Sequence, residues 1–360
     1  MLVGGRRFAL TLDPGAQRRR PDAWTVLGTD TPRVDLPALV TGQLEFVHDV
    51  RLAEMLYGAV VRPPVIGARL VGIDESSLRD LPGIVRVVVN SDFVGVVAER
   101  PWPAMQGAER LAVTWSTGSR LPPQSDLYEQ LREQPARDSL LVDSGDVDET
   151  LATATSTITA TYRHPYQMHG SVGTSCAVAD VRTDAATVWS ATQAVHPLKS
   201  TLAMLLWLSP EGVRVVFRRG SGCYGINGAD TAAYDAALLS QAVGRPVRVQ
   251  LSRRDEMAWE NYGYAYVIDQ RVGVDASGRI VAWDYEAWFP RRGGRPGRAT
   301  SGNVVTGVLA GFAPATPNPR RPSPAPSGRF RNGSNAAPSY VAGCVGGECG
   351  GTGTVQSNAY

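Results

Sequence analysis

Residues 213–225 read Val-Arg-Val-Val-Phe-Arg-Arg-Gly-Ser-Gly-Cys-Tyr-Gly, an apolar strand pattern that runs into a glycine-rich turn, and helical spacing begins soon after at Ala229. A strand, a turn poor in Cβ atoms and a helix in that order point to a βα unit and so to an α/β protein. The glycines permit positive φ and close approach of the backbone to a ligand. N–H groups at the head of the next helix favour an oxyanion or phosphate. The spacing Gly220, Gly222, Gly225 satisfies G-x-G-x-x-G, which suits several nucleotide or cofactor folds and also a βα turn that binds nothing.

Length and composition bound the rest. The chain has 360 residues, enough for about two domains. Its 43% apolar and 19% charged content is that of a globular protein able to bury a core. A net charge of +2 argues against nucleic acid, which needs clustered excess basic charge. The arginine groups at 18–20, 218–219, 253–254 and 291–292 are short and read as solvated faces. Four cysteines, Cys176, Cys223, Cys344 and Cys349, form no CxxC pair, which disfavours a zinc ribbon or redox dithiol and fits a reducing compartment. Met1 to Arg20 lacks the apolar core of a signal peptide, and no apolar run reaches the ~20 residues of a membrane span. A cytoplasmic location is expected, with an export signal upstream of Met1 not excluded.

Along the chain, Phe46 to Val50, Met55 to Val61, Arg69 to Ile73, Ile84 to Val89 and Val94 to Ala98 alternate as short strands. Pro101 to Glu109 reads as a helix and Leu111 to Trp115 as a further strand. From Ser116 to about Asp148 the composition turns to Ser, Pro, Gln and Asp without periodicity, the pattern of a linker. Thr157 to Tyr162, Cys176 to Val181 and Thr187 to Trp189 read as strands, and Leu198 to Leu208 as a helix. Ala229 to Val243 is helical with Gly244 as its C-cap. Val247 to Leu251 is a strand, and Asp275-Ala-Ser-Gly278 closes a hairpin between 266–274 and 279–288. Beyond Phe289, Arg, Gly, Pro and Asn dominate.

Several chemistries compete for the turn. A dinucleotide fold wants its third glycine in the first helical turn and an acid about 20 residues later. Here the next strand ends in Ser252-Arg253-Arg254, arginines that could instead meet the 2′-phosphate of NADP. Ser221 lacks the G-x-S-x-G frame of a hydrolase nucleophile. His48, His164, His169 and His196 show no metal-binding spacing. Cys223 reads as a buried apolar thiol, although a helix N-terminus could lower its pKa. Glu256 and Glu260 read as a helix face.

The motifs taken together narrow the choice. Arg33-Val-Asp35 through Val40-Thr-Gly42, Val47-His-Asp-Val-Arg51, Met55-Leu-Tyr-Gly58, Val61-Arg-Pro-Pro64, Ile73-Asp74 and Leu81-Pro-Gly83 closely resemble the hammerhead domain of the xanthine dehydrogenase and aldehyde oxidase family. Trp102-Pro-Ala-Met-Gln-Gly-Ala108, Tyr166-Gln-Met-His-Gly170, Cys176-Ala-Val-Ala-Asp180, Trp189-Ser-Ala-Thr-Gln193 and Gly220-Ser-Gly-Cys-Tyr-Gly225 extend the resemblance over nearly the whole chain. It is most like the molybdopterin-binding large subunit of the nicotinate dehydrogenase and isoquinoline 1-oxidoreductase branch.

That resemblance implies an α/β (α+β) fold, with an N-terminal extension at 1–32, a hammerhead domain at 33–116 and a linker at 117–150. The first part of a molybdenum-cofactor domain follows at 151–290, then a Gly/Pro-rich tail at 291–360. It implies a hydroxylase that oxidises an N-heteroaromatic or aldehyde with oxygen from water. The cofactor is molybdenum-molybdopterin, expected as the cytosine dinucleotide form, with the metal held by the pterin dithiolene rather than by protein ligands. Gln193 resembles the glutamine that hydrogen-bonds a molybdenum oxygen ligand, and Gly222, Cys223, Tyr224 and Gly225 resemble the turn that approaches the metal centre. Tyr224 stands where the family usually has Phe. Gly228 lies where purine-oxidising members place a glutamate, which disfavours a xanthine-like substrate. Implied partners are a small iron–sulfur subunit with 2Fe-2S clusters, the small-molecule substrate and the second half of the large subunit. The general-base glutamate is expected in that second half, beyond Tyr360, so no catalytic residue is assigned in this chain and no turnover is expected from it alone. Two other readings stay open: a non-catalytic protein that retains the fold, and an NADP-binding reductase.

Overall fold

The computed structural model describes residues 11, 13–65, 67–118, 123–133, 138–224, 229–259, 262, 265–288, 304–313 and 327–332. Gly225, Gly228, Glu260, Cys344, Cys349 and most of the 291–360 tail lie outside the described residues. The chain divides into two compact units, Met1–Leu44 and Glu45–Tyr360. Among its described residues the first carries a 3₁₀ turn at Pro21–Ala23 and a short α-helix, α1 (Leu36–Val40), with Pro37 in its first turn, where the missing N–H costs nothing.

In chain order, the second unit begins with β1 (Leu56–Val61), β2 (Leu70–Asp74), β3 (Ile84–Asn90), β4 (Phe93–Ala98), α2 (Pro101–Arg110) and β5 (Ala112–Trp115). It continues with α3 (Leu127–Glu133), β6 (Asp138–Ser144), α4 (Val147–Thr153), β7 (Ser156–His164), β8 (Cys176–Val181), β9 (Ala186–Ser190), α5 (Val195–Leu206) and β10 (Val213–Phe217). Then come α6 (Ala229–Val243), β11 (Val247–Gln250), α7 (Arg253–Trp259), β12 (Tyr266–Val274), β13 (Ile280–Trp288), α8 (Val305–Leu309) and β14 (Ser327–Asn332).

Seven strands form the main sheet in the order β10-β9-β8-β11-β1-β4-β3. It draws strands from both sides of the 117–150 stretch. Every residue of β4 is buried, as a central strand covered on both faces requires. Gly95 of β4 and Gly58 of β1 face Leu239 of α6, and a Cβ at either would lie 2.7 or 2.4 Å from a Leu239 methyl. The next residue, Val96, meets Gly107 of α2, where a Cβ would lie 2.7 Å from a Val96 methyl. Successive strand residues point to opposite faces, so α6 and α2 cover opposite sides of the sheet. The Ala-rich face of α6, with Ala232, Ala233, Ala236 and Ala237, packs with Leu198, Leu202 and Leu206 of α5 in one buried cluster.

A second sheet has the order β6-β14-β13-β12-β7, and β2 pairs with β5 in a third. The expected hairpin is present: Asp275 accepts hydrogen bonds from the Ser277 and Arg279 amides at 2.8 and 3.0 Å, and Gly278 takes φ +82°. The helix at 229–243 ends, as expected, at Gly244 with φ +64°.

Three expectations are corrected. The aperiodic stretch at 117–150 carries α3, β6 and α4. Leu127, Tyr128 and Leu131 of α3 pack with Ala265, Val267 and Trp288, so a Gln- and Glu-rich sequence becomes helical through the one face it buries. Phe46 to Val50 is a 3₁₀ turn at 47–49 rather than a strand, because the Phe46 amide turns to the Asp49 carboxylate (2.9 Å) and the Val47 amide to the Arg219 carbonyl (2.7 Å). The strand before the glycine turn and the strand after α6 are not neighbours. β9 and β8 separate β10 from β11, which is not a dinucleotide-binding βαβ pair.

Candidate functional site

β9 and β10 run parallel with Ser190 opposite Phe217, and the Arg218 amide extends the ladder to the Ser190 carbonyl at 3.0 Å. Past that point both chains leave the sheet side by side. One becomes Ala191-Thr192-Gln193, the other the glycine turn. A Cβ on Gly220 would lie 2.9 Å from the Ala191 Cβ, so only glycine admits this approach. Val47, Cys176 and Ala191 form a small buried cluster beneath. Gln193 is exposed at the entrance to α5.

Within the turn, Gly222 adopts φ +137°, a conformation L side chains rarely enter, and a Cβ there would lie 2.9 Å from the Tyr224 ring. Tyr224 is itself left-handed at φ +49°, with 59% of its surface exposed. Cys223 between them is wholly buried and not in a disulfide. The Ser171 hydroxyl donates to the Gly222 carbonyl at 2.9 Å. The Ser221 Oγ is buried without a hydrogen-bond partner among the described residues. Such an orphaned hydroxyl is uncommon. The structure thus brings Gln193 and residues 222–224 to the carboxyl ends of two adjacent parallel strands, while Gly225 lies outside the described residues.

Sequence reasoning missed the support behind this turn. Glu256 in α7 is not part of a solvated face: it is 0% exposed and accepts from the Ser175 amide at 2.8 Å and the Ser175 hydroxyl at 2.6 Å. Arg253 pairs with Glu256 at 3.2 Å and donates to the Ser171 and Val172 carbonyls at 2.5 and 3.0 Å. These contacts direct Arg253 into the 171–175 loop and not toward a nucleotide phosphate. Its spacing of three from Glu256 was the one available signal.

A cavity of about 440 Å³ opens at the carboxyl ends of β1 and β11, walled by Arg62, Met105, Trp115, Arg254 and Trp259 among others. Its size is that of a small-molecule site, and neither Gln193 nor residues 222–224 line it. Beside it, Arg62 pairs with the fully buried Asp235, whose other oxygen accepts from Thr306 at 2.6 Å. Among the described residues, no cluster of three or more His, Cys, Asp or Glu side chains is placed to hold a metal ion. No helix there is long and apolar enough to cross a membrane.

Residues 131–294 match the profile of the molybdopterin cofactor-binding domain. A nicotinate dehydrogenase subunit from Pseudomonas putida is 41% identical over 302 residues, covering 81% of this chain. The chain belongs to the xanthine dehydrogenase and aldehyde oxidase family. Within this family, the aldehyde oxidoreductase molybdenum-binding subunit of Escherichia coli is 26% identical over 308 residues, 78% of this chain and 42% of that one. Quinoline 2-oxidoreductase from Pseudomonas putida 86 shares the fold with a TM-score of 0.57 at 20% identity, over 71% of this chain and 38% of that one. The chain spans 25% of the nicotinate dehydrogenase protein, so it matches a part of each relative. The glycine turn, Gln193 and α7 all fall inside the matched 131–294 segment.

The turn also fits a molybdopterin on physical grounds. Such a group presents oxygen acceptors and a phosphate. The turn offers backbone at two positions closed to a Cβ, Gly220 and Gly222, and a buried hydroxyl, Ser221, that has a proton to donate.

Proposed function

We propose that this chain forms the first cofactor-binding wall of a molybdenum hydroxylase large subunit that oxidises an N-heteroaromatic or aldehyde substrate with oxygen from water. The observation that carries the reading is the glycine turn at the carboxyl ends of β9 and β10, with a buried Ser221 hydroxyl that has no partner among the described residues. When bound, the molybdenum cofactor supplies the two-electron oxidation. The chain's own residues bind and orient. Gln193 would donate its side-chain amide to the cofactor's oxygen ligand, and the backbone of Gly222, Cys223 and Tyr224 would line the metal centre, with Gly225 expected to join them. Donors held in fixed positions need no reorganisation when charge develops, which is where such a turn contributes most. The Tyr224 ring forms part of the wall facing substrate.

The finer assignments follow the family. The pterin is the cytosine dinucleotide form, electrons leave to 2Fe-2S clusters on a small partner subunit, and the assembly is cytoplasmic. The general-base glutamate is supplied by the second half of the large subunit. Without that glutamate, worth about 10²–10⁴-fold, hydroxylation by residues 1–360 is expected to fall to the level of a Gln193→Ala control. Hydroxylation by that chain above a Gln193→Ala control overturns this last point.

The test of the reading is to express the chain with the molybdenum-cofactor maturation machinery and measure molybdenum and pterin per purified chain. Retention that falls in both Gln193→Ala and Gly222→Ala is expected. Absence of molybdenum and pterin in the wild-type chain favours the non-catalytic reading.

A further inference from the structure

We propose that Arg253 and Glu256 are positioning residues for the glycine turn, acting through the 171–175 loop with Ser171 as the final link. Their importance for a cofactor rests on the function proposed above. Glu256 is completely buried, and a buried carboxylate is costly unless its oxygens are satisfied. Oε1 accepts both the amide and the hydroxyl of Ser175, and Oε2 faces Arg253 Nη1 at 3.2 Å. Arg253 Nη2 then clamps the far end of the same loop at the Ser171 and Val172 carbonyls. One ion pair therefore grips both ends of a five-residue loop. The Leu251 amide adds a third tie at the Ser175 carbonyl, 2.9 Å away.

The loop in turn touches the glycine turn at two successive places. Ser171, 2% exposed, donates to the Gly222 carbonyl at 2.9 Å. A Cβ on Gly173 would lie 2.2 Å from the Ser221 Oγ, so loop and turn are packed to the limit that glycine allows. The turn needs such support. Tyr224 holds a left-handed backbone at φ +49°, a conformation that persists only where surroundings enforce it. A loop displaced by an ångström would release the Gly222 carbonyl and uncover Cys223, which is 0% exposed in the held state.

Cys223 and Cys176 make this measurable in the full chain without activity, since both are buried thiols outside any disulfide. Cys176, 1% exposed in β8 of the main sheet, reports opening of the sheet, whereas Cys223 reports the turn. Alkylation by iodoacetamide under native conditions is followed by peptide-resolved mass spectrometry. In Ser171→Ala, which removes one oxygen, and in Glu256→Gln, Cys223 is expected to react on the order of tenfold faster, the effect of one lost buried hydrogen bond. In Ser171→Ala, whose lost contact lies at the opposite end of the loop from Cys176, Cys176 is expected to keep its wild-type rate. An unchanged Cys223 rate in Ser171→Ala overturns the proposal. So does a rise in both cysteines together in that variant, which marks general loosening. If Glu256→Gln does not fold, Ser171→Ala and Arg253→Lys decide the matter. Molybdenum content in the same samples separates the two readings. A Cys223 response in a chain that never retains molybdenum upholds the tie and overturns the cofactor assignment. Retained molybdenum with no Cys223 response in Ser171→Ala does the reverse.

Discussion

Replacing Arg62 by methionine should be among the most damaging single changes in the main sheet, and the reason can be worked from the contacts. Arg62 follows β1 directly, and its side chain is 4% exposed; Asp235, on α6, is 0% exposed. The two pair directly, Arg62 Nη1 also donates to the Thr306 hydroxyl at 3.3 Å, and that hydroxyl donates to Asp235 Oδ1 at 2.6 Å. Burial pushes the Asp235 carboxyl up, and Arg62 and Thr306 pull it back. Methionine keeps most of the volume, so cavity formation is a minor part of the effect. What remains is a buried carboxylate with one hydroxyl donor, a loss of about 3–5 kcal/mol. The variant can relieve this by protonation. Its folded pKa then stands further above that of the unfolded chain, so the variant loses stability as pH rises through the folded value and regains it as pH falls. Urea denaturation at pH 7 and pH 5 should show the gap to wild type narrowing at the lower pH. The double variant Arg62→Met/Asp235→Leu removes both charges and should recover most of the loss. A single-variant cost under about 1 kcal/mol, or a gap that widens as pH falls, refutes the reasoning.

Three further outcomes are expected. Gly58→Ala places a Cβ 2.4 Å from Leu239 and 3.1 Å from both Val247 and Val249, and should cost about 1–3 kcal/mol by thermal denaturation, partly restored by Leu239→Ala. Burial pushes the Cys176 thiol up to about 11, so its native alkylation rate should keep rising with pH to near that value, while the urea-unfolded chain levels off at about 8.5. Leu131→Ala, at the contact of α3 with β12, should cost about 2–5 kcal/mol by urea denaturation; a neutral result would return the 117–150 stretch to a passive linker.

What could be read in the sequence was local. The 3.6-residue spacing of 229–243 with Gly244 behind it, the alternation of Cys176 to Val181 and the Asp275–Gly278 turn each carry their signal within one element, and each appears in place. The order of strands has no such signal. β1 lies beside β11, with Leu56 opposite Val247, because Gly58 and Gly95 open a groove for Leu239, and that depends on three distant residues meeting. α3 was hidden because Gln, Glu and Arg occupy its exposed face, leaving three apolar residues too close together to show a period. At the site, Gln193 and the glycine turn were legible as motifs. Glu256 was not, because a charged residue in a charged segment reads as solvated until its burial is known.

The arrangement of the sheet explains why these features meet. β10 is parallel to β9 and β1 to β11, and β8 is antiparallel to both β9 and β11. All four of β1, β11, β9 and β10 therefore point the same way, and their carboxyl ends share one edge of the sheet. In open α/β sheets this is the edge at which ligands bind, since the loops leaving parallel strands diverge there. The glycine turn occupies the β9/β10 end and the 440 Å³ cavity the β1/β11 end. Between them α7 starts three residues after β11. Its Arg254, Asp255, Ala258 and Trp259 face the cavity, while Arg253 and Glu256 hold the loop that Ser171 ties to Gly222. A helix of two turns has no internal joint, so the two faces of α7 move together. The wall of the cavity and the anchor of the turn are one rigid piece, and a displacement at either is felt at both.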